Sequence, residues 1–276
     1  MAQQVDNGQS PPGLALERVA AEEIAHAAAF LQYRGGSVHR GVHQARKSLR
    51  RARAVLRLGG NALEPGAAAV DVALRDVVRS LSGARDADAV VKMLGRLLRR
   101  EEREAERAAL QRAQRVARRG RVDVLRAALA DDPGFGRRRE VLRQAAERLG
   151  ELPWDAVDAA DLMEVLAAGS RRVARAAKRA QASGLDDDWH RWRRRARRLA
   201  QKQTLLAGIG LPVEVARGDA DLVRMLGQAQ DYALLRAHCG KGSAFAREDR
   251  RRLKRLADAG LSRLRRRIAA AGARRQ

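Results

Sequence analysis

His43 is followed by cations at the third, fourth, seventh and eighth positions (Arg46, Lys47, Arg50, Arg51), and His190 by Arg193, Arg194, Arg197 and Arg198 at the same offsets. The segments HQARKSLRR and HRWRRRARR begin 147 residues apart. A guanidinium presents a planar fork of N–H donors that suits bidentate contact with phosphate oxygens. The chemistry this pattern favours is therefore the capture of a phosphate-rich polyanion, with the histidine as a further anion contact or hydrogen-bonding group.

A second echo follows each histidine. LSGARD ends at Asp86, 43 residues after His43, and LGQAQD ends at Asp231, 41 residues after His190. Two echoes in the same order point to an internal duplication. The copies differ at Ala200, where the first has Arg53, and at Gln230, where the first has Arg85. On that count the second half is expected to bind less strongly.

These residues need a helix to align them. At about 100° per residue from His43, the cations Arg46, Lys47, Arg50, Arg51, Arg53 and Arg57 fall between about 280° and 80°. Val42, Ala45, Leu49, Ala52 and Leu56 fall between about 180° and 260°, which gives one apolar stripe and one cationic face. The second copy repeats the division, with Trp189, Trp192, Ala196, Leu199 and Leu206 on the apolar side. Most charge runs are solvated faces, but Arg34 to Leu63 and Trp189 to Val213 contain no Asp or Glu. Each like-charge pair one turn apart costs a helix roughly 0.2–0.5 kcal/mol, so an acid-free ridge calls for an anion. Arg99 to Arg118, where Glu101, Glu102, Glu104 and Glu106 interleave with arginine, reads instead as an ordinary solvated face.

Other groups carry less. His39, one turn before His43, could pair with it and Asp86 around a metal, but the surrounding arginines repel a cation, so no metal site and no cofactor are expected. Asp86 and Asp231 read as caps or ion-pair partners of the basic helices rather than catalytic carboxylates. Trp154, Trp189 and Trp192 read as core. Gly208-Ile-Gly210 and Gly240-Lys-Gly242 lack the rest of any phosphate loop. Arg247 to Arg275 carries 12 cations and 3 acids and either extends the basic surface or forms an amphipathic helix.

The whole chain suits this reading. Its 276 residues carry a net charge of +24, which selects partners rather than fold: DNA, RNA, an anionic membrane surface or inorganic polyphosphate. Only six of the cations are lysine, a ratio that a GC-rich genome also produces. Three Trp, two Tyr and three Phe leave the core to Ala, Leu and Val, which favours close helix packing. The single cysteine, Cys239, excludes an intramolecular disulfide, no run of 18 apolar residues occurs, and the N-terminus lacks a secretory pattern. A cytoplasmic protein with no membrane partner is expected.

Periodicity and Gly/Pro punctuation predict helices at about 14–33, 37–58, 65–82, 84–119, 121–131 and 137–149, then 156–182, 187–207, 213–226, 228–239 and 244–271. Residues 1–13 are expected to be disordered, and Gly150 to Pro153 to divide a first repeat (14–150) from a second (154–272). Asp186-Asp187-Asp188 reads as a helix start.

The duplicated histidine with its basic residues, together with the Leu-x-x-x-Arg-Asp segment, resembles the CHAD domain, the conserved-histidine α-helical domain, over about Leu14 to Ala270. The resemblance implies an all-α fold of two pseudo-symmetric antiparallel four-helix bundles. It also implies a central basic channel that binds inorganic polyphosphate without catalysis, and location on polyphosphate granules. Its site residues here would be His43, Arg46, Lys47, Arg50, Arg51, Arg53, Arg57, His190, Arg193, Arg194, Arg197 and Arg198. Some relatives carry a triphosphate-tunnel domain, whose strands and Glu-x-Glu-x-Lys motif nothing here resembles. An enzyme would need a carboxylate cluster for Mg²⁺ or a placed nucleophile, and neither is visible. The alternative is a nucleic-acid-binding helical protein. Few aromatic rings are available for base stacking, and two equivalent ridges suit a flexible, baseless anion better than a duplex groove.

Overall fold

The computed structural model describes residues 11–213 and 217–273. Among these there are ten α-helices and no strand: α1 (Pro12–Phe30), α2 (Val38–Gly59), α3 (Gly66–Ser80), α4 (Ser82–Leu98), α5 (Glu104–Asp131), α6 (Gly136–Gly150), α7 (Ala159–Ser183), α8 (Asp186–Gly208), α9 (Arg217–His238) and α10 (Arg247–Ala273). The fold is all-α. Of the stretch expected to be disordered, residues 1–10 lie outside the described residues, while Pro12 and Gly13 already form the first turn of α1. A proline is well placed there, since the first turn has no use for its missing N–H.

Two predicted breaks are absent. The chain does not break at Gly120, which lies inside α5, or at Gly227, which lies inside α9. A Cβ at either glycine would meet nothing, so each is simply a helical residue with open space beside it and a modest propensity cost. The real interruption falls at residues 99–103, which contain no glycine or proline. Its signal is electrostatic: Arg96 stands in the last turn of α4, and Glu104 and Glu106 in the first turn of α5, each complementing the helix dipole. Arg103 closes the link by donating to Glu101 at 2.8 Å, and Arg107 donates to the Glu101 carbonyl at 2.8 Å.

The chain divides into two compact units, and each collects segments from both halves of the sequence. In the first, which among the described residues comprises 11–80, 134–170 and 201–213, helix α1 packs on α2 and α6, and α3 packs on the same two. Leu16, Ala20 and Ile24 of α1, Ala45, Leu49 and Ala52 of α2, Leu74 of α3 and Leu142 of α6 are buried there. Trp154 is buried and donates its indole N–H to the Leu149 carbonyl at 2.8 Å. Gly13 is required where α1 starts, because a Cβ there would sit 1.7 Å from the Trp154 carbonyl oxygen.

In the second unit, which among the described residues comprises 81–133, 171–200 and 217–273, two apolar clusters form. One joins α4 and α5 to α9 and α10 through residues such as Met93, Leu94, Leu110, Leu235 and Leu253. The other joins α7 and α8 to the same pair through Ala180, Trp189, Trp192, Leu226, Leu261 and Ile268. All three tryptophans therefore belong to the core. Ion pairs tie the first cluster's rim: Arg112 to buried Asp249 at 2.6 Å, and Arg121 and Lys92 to buried Asp88 at 3.1 and 2.7 Å.

Candidate anion-binding clusters

The first basic helix is α2, and its cations divide into three kinds. Arg46 is buried rather than outward. Its Nη1 donates to the Val78 carbonyl in the last turn of α3, one of the acceptors that a helix end leaves without an intrahelical donor. The expectation that it points away from the core is thus corrected: at the edge of the cationic arc, its long side chain reaches across to cap a neighbouring helix. Arg51, Arg53 and Arg57 are ion-paired. Arg51 meets Glu23 of α1 at 2.8 Å, Arg53 places a fork on Asp71 of α3 at 2.8 and 3.0 Å, and Arg57 reaches the same carboxylate at 3.2 Å. The ridge is acid-free along the sequence but not in space, because its acids come from other helices of the unit. His43 and Lys47 are exposed and Arg50 is half-buried. These three share about 60° of the helix surface.

Burial pushes the Asp71 carboxyl up, but the hydrogen bonds and charges of Arg53 and Arg57 outweigh it and hold it below the ordinary 3.8. The ionised form therefore stabilises the fold at neutral pH. That contribution is present above the unfolded value near 3.8 and fades as pH falls through the lower folded value. An Asp71→Asn variant is expected to be less stable than the wild type at pH 7 in urea melts, with the difference shrinking towards pH 2. The same variant releases Arg53 and Arg57 from that carboxylate.

The second basic helix is α8. Its first turn carries Asp186, Asp187 and Asp188. Asp188 is buried and receives Arg179 at 3.0 Å, and Asp186 receives Arg236 and Arg265, so these carboxylates lock the start of the helix to its neighbours. His190 Nδ1 lies 2.6 Å from the Gln230 side-chain oxygen. With that oxygen accepting, Nδ1 carries the proton of the neutral ring. Gln230, one of the residues by which the second copy departs from the first, is thus the partner that fixes its histidine.

Arg193 and Arg197 are half-buried one turn apart, and neither makes an ion pair or side-chain hydrogen bond among the described residues. Burial, then the charges of Arg197 and Arg85, push the Arg193 guanidinium below the ordinary arginine value, with Asp231 pulling the other way. Burial and Arg85 do the same to Arg197. Three guanidinium groups from α8 and α4 thus act on one another. Asp231 is largely committed elsewhere, accepting a fork from Arg96 at 2.8 and 3.0 Å, and exposed Asp86 accepts from Arg85 at 2.7 Å. Arg194 and Arg198 are exposed on the same helix. Arg85 was legible only as part of an echoed motif; the LSGARD segment carried the signal.

A family model described as the CHAD domain matches residues 18–240, from α1 through α9. The chain belongs to the CHAD family. Among solved structures, this CHAD chain is similar to PptA from Streptomyces chartreusis, with a TM-score of 0.69 and 18% identity over 96% of this chain and 100% of that one. It is also similar to the CHAD domain from the plant Ricinus communis, with a TM-score of 0.60 and 18% identity over 100% of this chain and 91% of that one. A search of the curated proteins gives no match. In the CHAD chain described here, no group of three or more His, Cys, Asp or Glu among the described residues is placed to hold a metal ion. Asp86 and Asp231 lie within helices and act as ion-pair partners rather than caps. No helix among the described residues is long and apolar enough to cross a membrane.

Proposed function

We propose that this CHAD chain binds inorganic polyphosphate, without catalysing its turnover, through two basic clusters. One consists of His43, Lys47 and Arg50 on α2, and the other of Arg193, Arg194, Arg197 and Arg198 on α8 with Arg85 of α4. The observation that carries the reading is the pair of half-buried arginines on α8, which make no ion pair among the described residues and stand in the field of Arg85. Positive charge held partly out of water, and repelled by its neighbours, is stabilised most by an anion dense enough to meet several guanidinium groups at once. A phosphate chain has that charge density and no bases to accommodate.

The second cluster is the stronger of the two in this reading. Ala200 costs it nothing, because Arg53, its counterpart on α2, is held by Asp71. Gln230 leaves Arg193 and Arg197 without an added acid.

The deciding experiment is competition at fixed salt between long polyphosphate and duplex DNA of equal phosphate concentration. Polyphosphate is expected to displace DNA, and affinity to fall steeply as salt rises, because bound phosphates release counterions. DNA competing equally, phosphate for phosphate, would instead favour the nucleic-acid reading.

A further inference from the structure

A separate basic surface lies within the second unit. Met225, Gln228 and Tyr232 recur at helical spacing on α9, roughly 140° around the helix from the side carrying Gln230 and Asp231. With α10 and the α4–α5 link they line two adjoining clefts, open to solvent, of about 720 and 520 Å³, which share Arg100, Gln228 and Arg267. Volumes of this order suit small organic ligands. None of the lining residues belongs to the two basic clusters.

The charges in this trough do not cancel. Arg224 is paired with Asp221 at 2.8 Å and Arg103 with Glu101 at 2.8 Å. Arg100, Arg263 and Arg267 make no ion pair or side-chain hydrogen bond among the described residues, and Glu102 is the one remaining carboxylate of the lining. The Gln228 amide and the Tyr232 hydroxyl likewise have no hydrogen-bond partner among the described residues. Between these polar groups the floor is apolar, with Met225 in one cleft and Leu256 and Leu264 in the other. The Tyr232 ring is seated against α10 at Gly260, where a Cβ would come within 2.4 Å of it. A bare phosphate chain needs the arginines but gains nothing from an apolar floor, whereas a phosphate ester with an organic body uses both.

We propose that this trough is a second anion site, one that takes a phosphate ester with an apolar or aromatic body, of the nucleoside triphosphate class. The phosphates meet Arg100, Arg267 and Arg263, and the organic body lies on the floor beside Tyr232, within reach of the Gln228 amide. The proposal stands independently of the polyphosphate reading.

The test is calorimetric titration of the full chain with ATP and with inorganic tripolyphosphate, which carries similar charge but no organic body. Wild-type protein is expected to bind ATP several-fold more tightly than tripolyphosphate. An Arg100→Ser, Arg267→Ser variant, changed only at exposed positions, should lose at least about tenfold in ATP affinity and keep its affinity for long polyphosphate. An Arg193→Gln, Arg197→Gln variant should show the reverse. Absence of saturable ATP binding at millimolar concentration would overturn the proposal. So would ATP affinity that follows the α8 variant and ignores the trough variant, which would leave the basic cluster on α8 as the anion site. Failure of polyphosphate to bind wild-type protein would overturn the reading of the clusters without touching that of the trough.

Discussion

Reversing Arg193 and Arg197 together to glutamate is expected to lower affinity for long polyphosphate by at least about 100-fold, while helicity by circular dichroism is retained. Hydrogen bonds to charged groups contribute roughly 1.5–3 kcal/mol each, so two lost contacts alone reach that magnitude, and the introduced carboxylates repel the ligand further. Folding should survive because neither side chain makes an ion pair among the described residues, Asp231 near Arg193 is already held by Arg96, and the new acids face Arg85. A second variant, Arg193→Gln with Arg197→Gln, removes two guanidinium groups that burial, and after it the charge of Arg85, push below their ordinary value. Its urea stability should equal or exceed that of the wild type, while its affinity falls by a smaller factor. Wild-type affinity in the reversed variant would mean that α8 presents only a solvated face.

Arg46→Glu should act on stability instead, costing about 3–5 kcal/mol in urea unfolding. The native guanidinium is buried and caps the end of α3 at Val78. A carboxylate there sets negative charge against that carbonyl and has no water to retreat to. Lys47→Glu, one residue along, should change stability by less than about 0.5 kcal/mol, since Lys47 is exposed and without a side-chain partner among the described residues. It should weaken polyphosphate binding. Similar stabilities for the two variants would show that Arg46 contributes little to the fold.

The contrast between Arg46 and Lys47 shows what a linear pattern can carry. Composition and apolar periodicity were sufficient for an all-helical chain, and the duplicated histidine motif for its family. The helix ends expected at about 131 and 182 were legible, against the observed Asp131 and Ser183, because turn residues act on the local backbone. The α4–α5 break was not, because it depends on a change of charge sign rather than on a turn residue. The outward directions of His43, Lys47, Arg194 and Arg198 follow from helix geometry. Which arginines remain without an acid does not, because Glu23 and Asp71 reach α2 from helices elsewhere in the chain, at 28 and 18 residues from their partners Arg51 and Arg53. The lack of carboxylates along one helix measures that helix alone, and side chains of the length of arginine average over everything within reach.

The pairing of α4 and α5 with α9 and α10 also sets an order of events during biosynthesis. Met93 and Leu94 share a cluster with Leu235 and Leu253, which leave the ribosome about 140 and 160 residues later, roughly 7–32 s at ordinary rates of elongation. Throughout that interval the apolar face of the early hairpin lacks its cover, although the first unit has most of its own helices well before the last one is made. A nascent chain stalled before α9 would expose leucine and methionine beside dense positive charge. That combination makes the half-made protein, rather than the finished one, the form most in need of a chaperone and most prone to stick to the RNA around it.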